Sequence, residues 1–274
     1  MGELILLKLG GSVVTDKSKP FTEDIKIIRR LAREIHAARK EKNFRLVVGH
    51  GGGSYPHVPA KKYKTNEGVV NKKSCEGIAK VQDAASTLNR IIVRELIAAG
   101  ECAVSIHLSS SCVTENGEIK YMFLKPIKKL LDLNMIPVPY GDVCLDSEKG
   151  CSILSTEKIL SYLAKKLPTM EKKYKVSRIL ICTKVPGVFT GDPIKNPNAK
   201  HIPLVTPKNL KEIINYVKGS AGIDVTGGML HKVEMLLELA KKEIESEIIN
   251  ATKPGILKRA LLGERGLGTI IRSD

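Results

Sequence analysis

Apolar residues along this chain follow two rhythms that take turns. Short unbroken runs, such as Leu4-Ile5-Leu6-Leu7, Leu46-Val47-Val48 and Ile179-Leu180-Ile181, have the length of strands buried on both faces. Between them, apolar positions recur every three or four residues. Ile25, Ile28, Leu31, Ile35 and Ala38 do so over 23–41, and Ile78, Val81, Ala85, Leu88, Ile92 and Leu96 over 75–99, which is the spacing of one helix face. Thr22 stands at the N-cap position of the first helix, and Gly100 closes the second. The same reading predicts strands at 4–9, 45–49, 102–107, 135–139, 177–182, 246–250 and 267–271. It adds helices at 126–133, 156–167 (ending before Pro168), 208–217 and 228–244, and a hairpin at 111–123 around Glu115-Asn116-Gly117-Glu118. Alternation of this kind argues for an α/β protein with a mostly parallel sheet and helices on both faces. The change of character near 170–176 marks a soft boundary between an N-terminal lobe, 1–170, and a C-terminal lobe, 171–274, within one continuous sheet.

Two of the buried runs end in glycine clusters. Lys8-Leu9-Gly10-Gly11-Ser12 follows the first strand, and His50-Gly51-Gly52-Gly53-Ser54 follows the second. Glycine removes the Cβ that would block approach, so the bare N–H groups of such loops can close around anionic oxygens. One such loop implies a nucleotide or phosphate binder, whereas two imply a phosphate handed from one to the other. Lys8 sits at a strand end facing a Gly-Gly turn and places a point charge there. Lys17, just beyond the same loop, reaches toward the same anion. A helix starting near Gly53 would aim its N-terminal amides at the site and bring His57 to a phosphate oxygen. Gly227-Gly228 opens another helix, with Lys232 on its first turns.

Composition narrows the classes. The chain has 274 residues, 42% hydrophobic and 27% charged, as in soluble globular proteins. No run reaches the roughly 20 apolar residues of a membrane span, and no signal peptide is visible, so the cytoplasm is the expected compartment. The six cysteines form no C-x-x-C pair and read as reduced, mostly buried thiols rather than a metal site. A net charge of +16 raises the question of nucleic acid. The lysines are scattered in pairs, however, and aromatics are only 4%, too few for stacking platforms on single strands. A lysine-rich surface that draws in small phosphorylated molecules fits better, so no nucleic-acid partner is expected. Neither G-x-x-x-x-G-K-[ST] nor G-x-G-x-x-G occurs, which argues against P-loop and Rossmann readings. The H-R-D and D-F-G motifs of protein kinases are absent too.

Taken in order, several segments resemble the amino acid kinase superfamily and, within it, the isopentenyl phosphate kinases. They are Lys8-Leu9-Gly10-Gly11-Ser12 with Thr15-Asp16-Lys17, His50-Gly51-Gly52-Gly53-Ser54 with His57, Pro137-Val138-Pro139-Tyr140-Gly141-Asp142-Val143, Gly187-Val188-Phe189-Thr190-Gly191-Asp192-Pro193, Asp224-Val225-Thr226-Gly227-Gly228-Met229 with Lys232, and Gly268-Thr269-Ile270-Ile271. The resemblance runs from end to end. It implies an open αβα sandwich in which the N-terminal lobe holds a phosphate acceptor and the C-terminal lobe holds ATP with Mg²⁺. The implied reaction moves the γ-phosphoryl group to isopentenyl phosphate, in a homodimer. By the same resemblance Lys8, Leu9, Gly10, Gly11 and Ser12 form the loop on the transferring phosphate, and Lys17 stabilises charge in the transition state. Gly52 and His57 bind the acceptor phosphate, Gly53 faces ATP, and Thr183, Lys184, Gly187, Gly227 and Lys232 belong to the nucleotide site. An isoprenoid tail needs an apolar slot, for which the 75–99 helix offers Ile78, Val81, Leu88 or Ile92 if they are not ordinary core.

Three places depart from the family pattern. Ser155-Thr156-Glu157 stands where Ser-Gly-Asp is usual, placing Thr156 and Glu157 beside the acceptor. Thr183-Lys184-Val185-Pro186-Gly187 stands for Thr-Asp-Val-Asp-Gly, and Tyr55-Pro56 for Phe-Gly. Alternatives therefore stay open at this level: a kinase for another small phosphate or phosphonate such as fosfomycin, or a divergent non-catalytic homologue.

Overall fold

The computed structural model describes residues 3–193, 195–219 and 228–273. Its backbone is a sheet whose middle strands are the apolar runs. β1 (Glu3–Leu9) opens the chain, followed by a single turn, α1 (Gly11–Val14), and by α2 (Ile25–Glu41). β2 (Phe44–His50), α3 (His57–Tyr63) and the long α4 (Ser74–Ala98) lead to β3 (Ala103–Ile106). A short α5 (Leu108–Ser111) precedes the predicted hairpin, β4 (Cys112–Glu115) and β5 (Glu118–Met122). Both residues of its turn, Asn116 and Gly117, have positive φ, as a two-residue hairpin turn requires. α6 (Lys125–Asp132), β6 (Ile136–Pro139), the hairpin of β7 (Asp142–Asp146) and β8 (Gly150–Leu154), and α7 (Thr156–Met170) complete the first half. The second half runs through β9 (Val176–Thr183), the short β10 (Val188–Phe189), β11 (His201–Ile202) and β12 (Leu204–Val205), and α8 (Leu210–Gly219). It ends with α9 (Gly228–Ala240), β13 (Glu245–Asn250), α10 (Ile256–Leu262) and β14 (Gly268–Ile271).

The main sheet has the order β12-β14-β13-β9-β1-β2, with every neighbour pair parallel except β13 and β14. A parallel bridge between His50 and Tyr140 carries it on to β6, which pairs in parallel with β3. A second sheet, β5-β4-β7-β8, stands beside it. This is the expected α/β sandwich. Period-two alternation divides β1 between two cores. Leu4 and Leu6 pack with Ile159, Leu163, Leu236 and Ile179 on the side of α7 and α9. Ile5, Leu7 and Leu9 pack with Leu31, Ile35, Leu88 and Leu257 on the side of α2, α4 and α10.

Four local expectations need correction. Asp24, not Thr22, caps α2: its side chain accepts from the Ile27 N–H, and Thr22 instead lies against Ser54. The helix expected near Gly53 begins at His57, because Gly53 to Pro56 form turns. The helix expected to stop before Pro168 runs on to Met170; a proline in the last turn deprives it of a single N–H. The β7–β8 hairpin was not foreseen. Its turn is built on Asp146, whose carboxylate accepts from the N–H groups of Asn116, Gly117, Glu148 and Lys149. Four of the six free cysteines are buried, as expected; Cys75 and Cys102 are exposed.

Candidate active site

Lys8 continues the row Leu4-Leu6 on β1 and so points to the face covered by α7. At its height α7 begins, with Ser155 as N-cap accepting from the Lys158 N–H at 3.3 Å. The first turn of that helix delivers Glu157, and the two side chains form a largely buried ion pair. Burial raises the Glu157 carboxyl pKa, but the positive charges of Lys8 and Lys232 outweigh it, so the group stays ionised below the usual carboxylate range. Lys232 therefore shares the space in front of Lys8, on the first turns of α9.

The two glycine loops are pressed together at this point. A Cβ on Gly11 would meet the Gly53 nitrogen at 2.4 Å, and Gly53 holds φ +55° with room for no side chain. Thr15 ties the loops: its hydroxyl donates to the Gly11 carbonyl at 2.7 Å and accepts from the Ser54 N–H at 3.0 Å. The Gly51 N–H donates to the Leu9 carbonyl at 2.9 Å. Among the described residues no protein acceptor meets the N–H groups of Gly52 and Gly53. Both loops line one cavity of about 310 Å³.

That cavity gathers most of the residues singled out from the sequence. Lys8, Gly10, Gly11, Ser12, Lys17, Gly52, Gly53, His57, Thr156, Glu157, Thr183 and Lys232 all line it. Leu9 does not; it is buried in the core on the α2 side. Lys184 is exposed beyond the end of β9, and Gly187 is buried against Thr269, both away from the lining. Gly227 lies outside the described residues. Of the helix positions considered for an apolar slot, Val81 lines the cavity, together with Ala60, Pro56, Ile153 and Leu154. Leu88 and Ile92 belong to the core behind it.

His57, an exposed residue at the start of α3, lines the cavity with Lys17. Partial burial, and then the Lys17 charge, hold its imidazole below the ordinary histidine value. The ring is therefore neutral at pH 7, a hydrogen-bonding group beside a cation. Lys17, His57 and Gly53 also border a wider groove of about 820 Å³ lined by Lys61 and Lys62. Asp142 and Gly51 are among the lining residues that the sequence does not mark as site residues. Asp142, buried at the start of β7, lines the cavity, and burial pushes its carboxyl up to about 6 although the N–H groups of Ser109 and Val143 donate to it. Its Gly141-Asp142 sequence marked an element end but said nothing of what it faced. Gly51 also lines the cavity and belonged to the recognised loop.

The arrangement offers cations from three segments in Lys8, Lys17 and Lys232, the amides of Gly52 and Gly53, one neutral histidine and an apolar part of the lining. Such a set neutralises and orients phosphate oxygens and leaves room for a small apolar group. Comparison with known proteins agrees. The amino acid kinase family model matches residues 3–250. The isopentenyl phosphate kinase of Methanothermobacter thermautotrophicus is 35% identical over 275 residues, covering 98% of either chain. That of Methanocaldococcus jannaschii is 34% identical, covering 95% of this chain and 96% of its own. A crystal structure of an isopentenyl phosphate kinase superposes with a TM-score of 0.81 at 33% identity, over 98% of this chain and all of that one. On fold, family model and end-to-end similarity together, this chain belongs to the amino acid kinase family.

Proposed function

We propose that the protein is a phosphotransferase that moves the γ-phosphoryl group of ATP to isopentenyl phosphate, giving isopentenyl diphosphate. The observation that carries this reading is the meeting of the two glycine loops at one cavity whose lining is partly apolar. The relatives named isopentenyl phosphate kinase support the choice of acceptor. Fosfomycin as acceptor, or loss of catalysis, draws no comparable support.

In this reading Gly52 and His57 hold the acceptor's phosphate, and Val81, Ile153 and Leu154 take its tail. Gly11, Ser12 and Gly53 cradle the transferring group through backbone N–H, while Gly10, whose own N–H donates to the Cys182 carbonyl at 3.0 Å, shapes the turn that lets the group approach. Lys232 and Thr183, with the segment containing Gly227, hold the nucleotide on the side of residues 171–274, while residues 1–170 hold the acceptor. The acceptor is already an anionic nucleophile, so no strong base is needed. What the chain must do is bring two polyanions together and neutralise the group in flight. Lys8, fixed by Glu157, and Lys17, which lines the same cavity, supply that charge. The two cavity carboxylates, Asp142 and Glu157, are already engaged with protein donors. Mg²⁺ therefore fits on the nucleotide's own phosphate oxygens, where it would offset their charge. A homodimer is the assembly expected for this family. No described helix is long and apolar enough to cross a membrane.

The test is ADP release by the purified protein with isopentenyl phosphate, dimethylallyl phosphate, geranyl phosphate, fosfomycin and acetylglutamate as acceptors. The C5 phosphates are expected to give the highest kcat/KM, and His57→Ala to lower it by about 10²-fold through loss of a phosphate hydrogen bond. Turnover of fosfomycin with none of isopentenyl phosphate would replace this acceptor. ATP binding without any turnover would end the catalytic reading.

A further inference from the structure

His50, the last residue of β2, is buried to 1% exposure immediately before the acceptor loop. Burial drives its imidazole down to about 4, so it is neutral, with one ring nitrogen donating and the other accepting. Two independent contacts say which. The Asn89 amide nitrogen lies 3.3 Å from the Val138 carbonyl, which can only accept, and 3.1 Å from His50 Nε2. The amide therefore turns its NH₂ toward both, and Nε2 is the acceptor. On the other side, Nδ1 lies 3.2 Å from the Gly51 carbonyl, again an acceptor only. Both ends require the proton on Nδ1. Tyr140 stacks on the ring at 5.4 Å with planes 7° apart, packing one of its faces.

This proton has a structural consequence one bond further on. A peptide unit is planar and trans, so its C=O and N–H point in opposite directions. A Gly51 carbonyl drawn back to the buried ring turns the Gly52 N–H outward, into the cavity that both residues line. Glycines on either side would let that peptide rotate freely if nothing held it. The His50 carbonyl is itself fixed, accepting from the Thr156 hydroxyl at 2.6 Å and the Gly141 N–H at 3.2 Å. Thr156 occupies the position where the family pattern has glycine, so this second clamp is a feature of this chain.

We infer that His50 is a positioning residue: locked in its Nδ1–H form between Asn89 and Gly51, it sets the direction of the Gly52 N–H and so shapes the acceptor-phosphate site without touching substrate. The inference rests on the proposed function for the identity of the bound anion, but the state of the ring does not. A long-range proton–nitrogen NMR spectrum of the ¹⁵N-labelled full-length protein at pH 7 tests that part without any substrate. It should show His50 protonated at Nδ1 and bare at Nε2; an Nε2–H ring or an imidazolium overturns the inference. Kinetics test the rest. In His50→Asn the amide nitrogen falls near the place of Nδ1 and keeps the donor to Gly51. In His50→Gln it falls near Nε2 and loses that donor. With isopentenyl phosphate, His50→Gln should raise acceptor KM at least tenfold with ATP KM within twofold, while His50→Asn stays within about threefold of wild type. Equal damage from both variants, or parallel rises in the two KM values, reduces His50 to a packing residue. Should His50→Gln fail to fold, the wild-type spectrum and His50→Asn still decide. A wild-type protein inert toward isopentenyl phosphate refutes the acceptor assignment and leaves the spectroscopic result to stand or fall alone.

Discussion

At the scale of the residue, Glu157 joins two parts of the site. It stands at the first turn of α7 and is paired with Lys8, and the charge of Lys232 acts on it as well. Its carboxylate keeps the Lys8 ammonium at a fixed place on the cavity wall. Glu157→Gln leaves the shape and removes the charge. It should lower kcat by roughly 10–100-fold with a smaller change in ATP KM, as expected when a group acts on the transition state. Steady-state kinetics check this, and an unchanged kcat contradicts the role. His57 gives a second prediction. Its pKa starts below the ordinary value because of partial burial and Lys17. A bound anion favours the protonated ring, so the pKa must rise on adding isopentenyl phosphate or inorganic phosphate. An NMR titration of the His57 ring, with and without ligand, follows the shift directly; identical curves would place the anion elsewhere. Residues such as Lys8, Lys17 and His57 were legible in the sequence because each lies within a few positions of a glycine loop. Asp142 and the role of His50 were not, since the walls they face are built by distant segments: β8, α4 and the start of α7.

At the scale of the element, long regular pieces could be read and short irregular ones could not. β1, β2 and β9 announce themselves as apolar runs because both faces are covered. α2 and α4 do so by a continuous stripe. α3 was misplaced because its first turn follows Pro56 in a chain already turning from Gly53, and no cap residue marks the true start. The β7–β8 hairpin escapes the apolar pattern because Asp142 and Asp146 bound a run of only Val143-Cys144-Leu145, although both acids are buried and satisfied by backbone N–H. The join between β9, β13 and β14 was equally hidden. There Arg178 and Glu247 pair at 2.6 Å, their side chains 2% and 0% exposed. Glu247 also accepts from the N–H of Leu267 at 2.7 Å and of Gly268 at 3.2 Å. Glu247→Ala strands a buried guanidinium and two amides together. It should destabilise the fold by about 3–5 kcal/mol. Thermal or urea unfolding measures it, and a change under 1 kcal/mol would show that water replaces the carboxylate.

At the scale of the molecule, order along the chain gave the architecture: alternating strands and helices admit few topologies beyond a doubly covered, mostly parallel sheet. What order could not give is which loops meet. The β1–α1 and β2–α3 loops become neighbours because β1 and β2 are adjacent and parallel, so their carboxyl ends share one edge. The net charge of +16 acts at this scale too. With Lys17, Lys61 and Lys62 bordering the approach, it should speed capture of anionic substrates. Raising ionic strength from 0.01 to 0.15 M shortens the screening length from about 30 to about 8 Å. Over that range kcat/KM for the acceptor should fall by roughly three- to tenfold while kcat holds. A kcat/KM indifferent to salt would show that the surface lysines serve solubility alone.

The contact between Gly11 and Gly53 has a consequence for how such a site can change over time. Because each backbone fills the space where the other's side chain would grow, neither loop is free to drift by itself. A side chain added to Gly11 needs Gly53 to retreat, and one added to Gly53 needs both Gly11 and Thr15 to do so, so the two loops should change together or not at all. Variation in what the cavity accepts should then come from Val81, Ile153 and Leu154 in its apolar lining, and leave the paired glycine loops as they are.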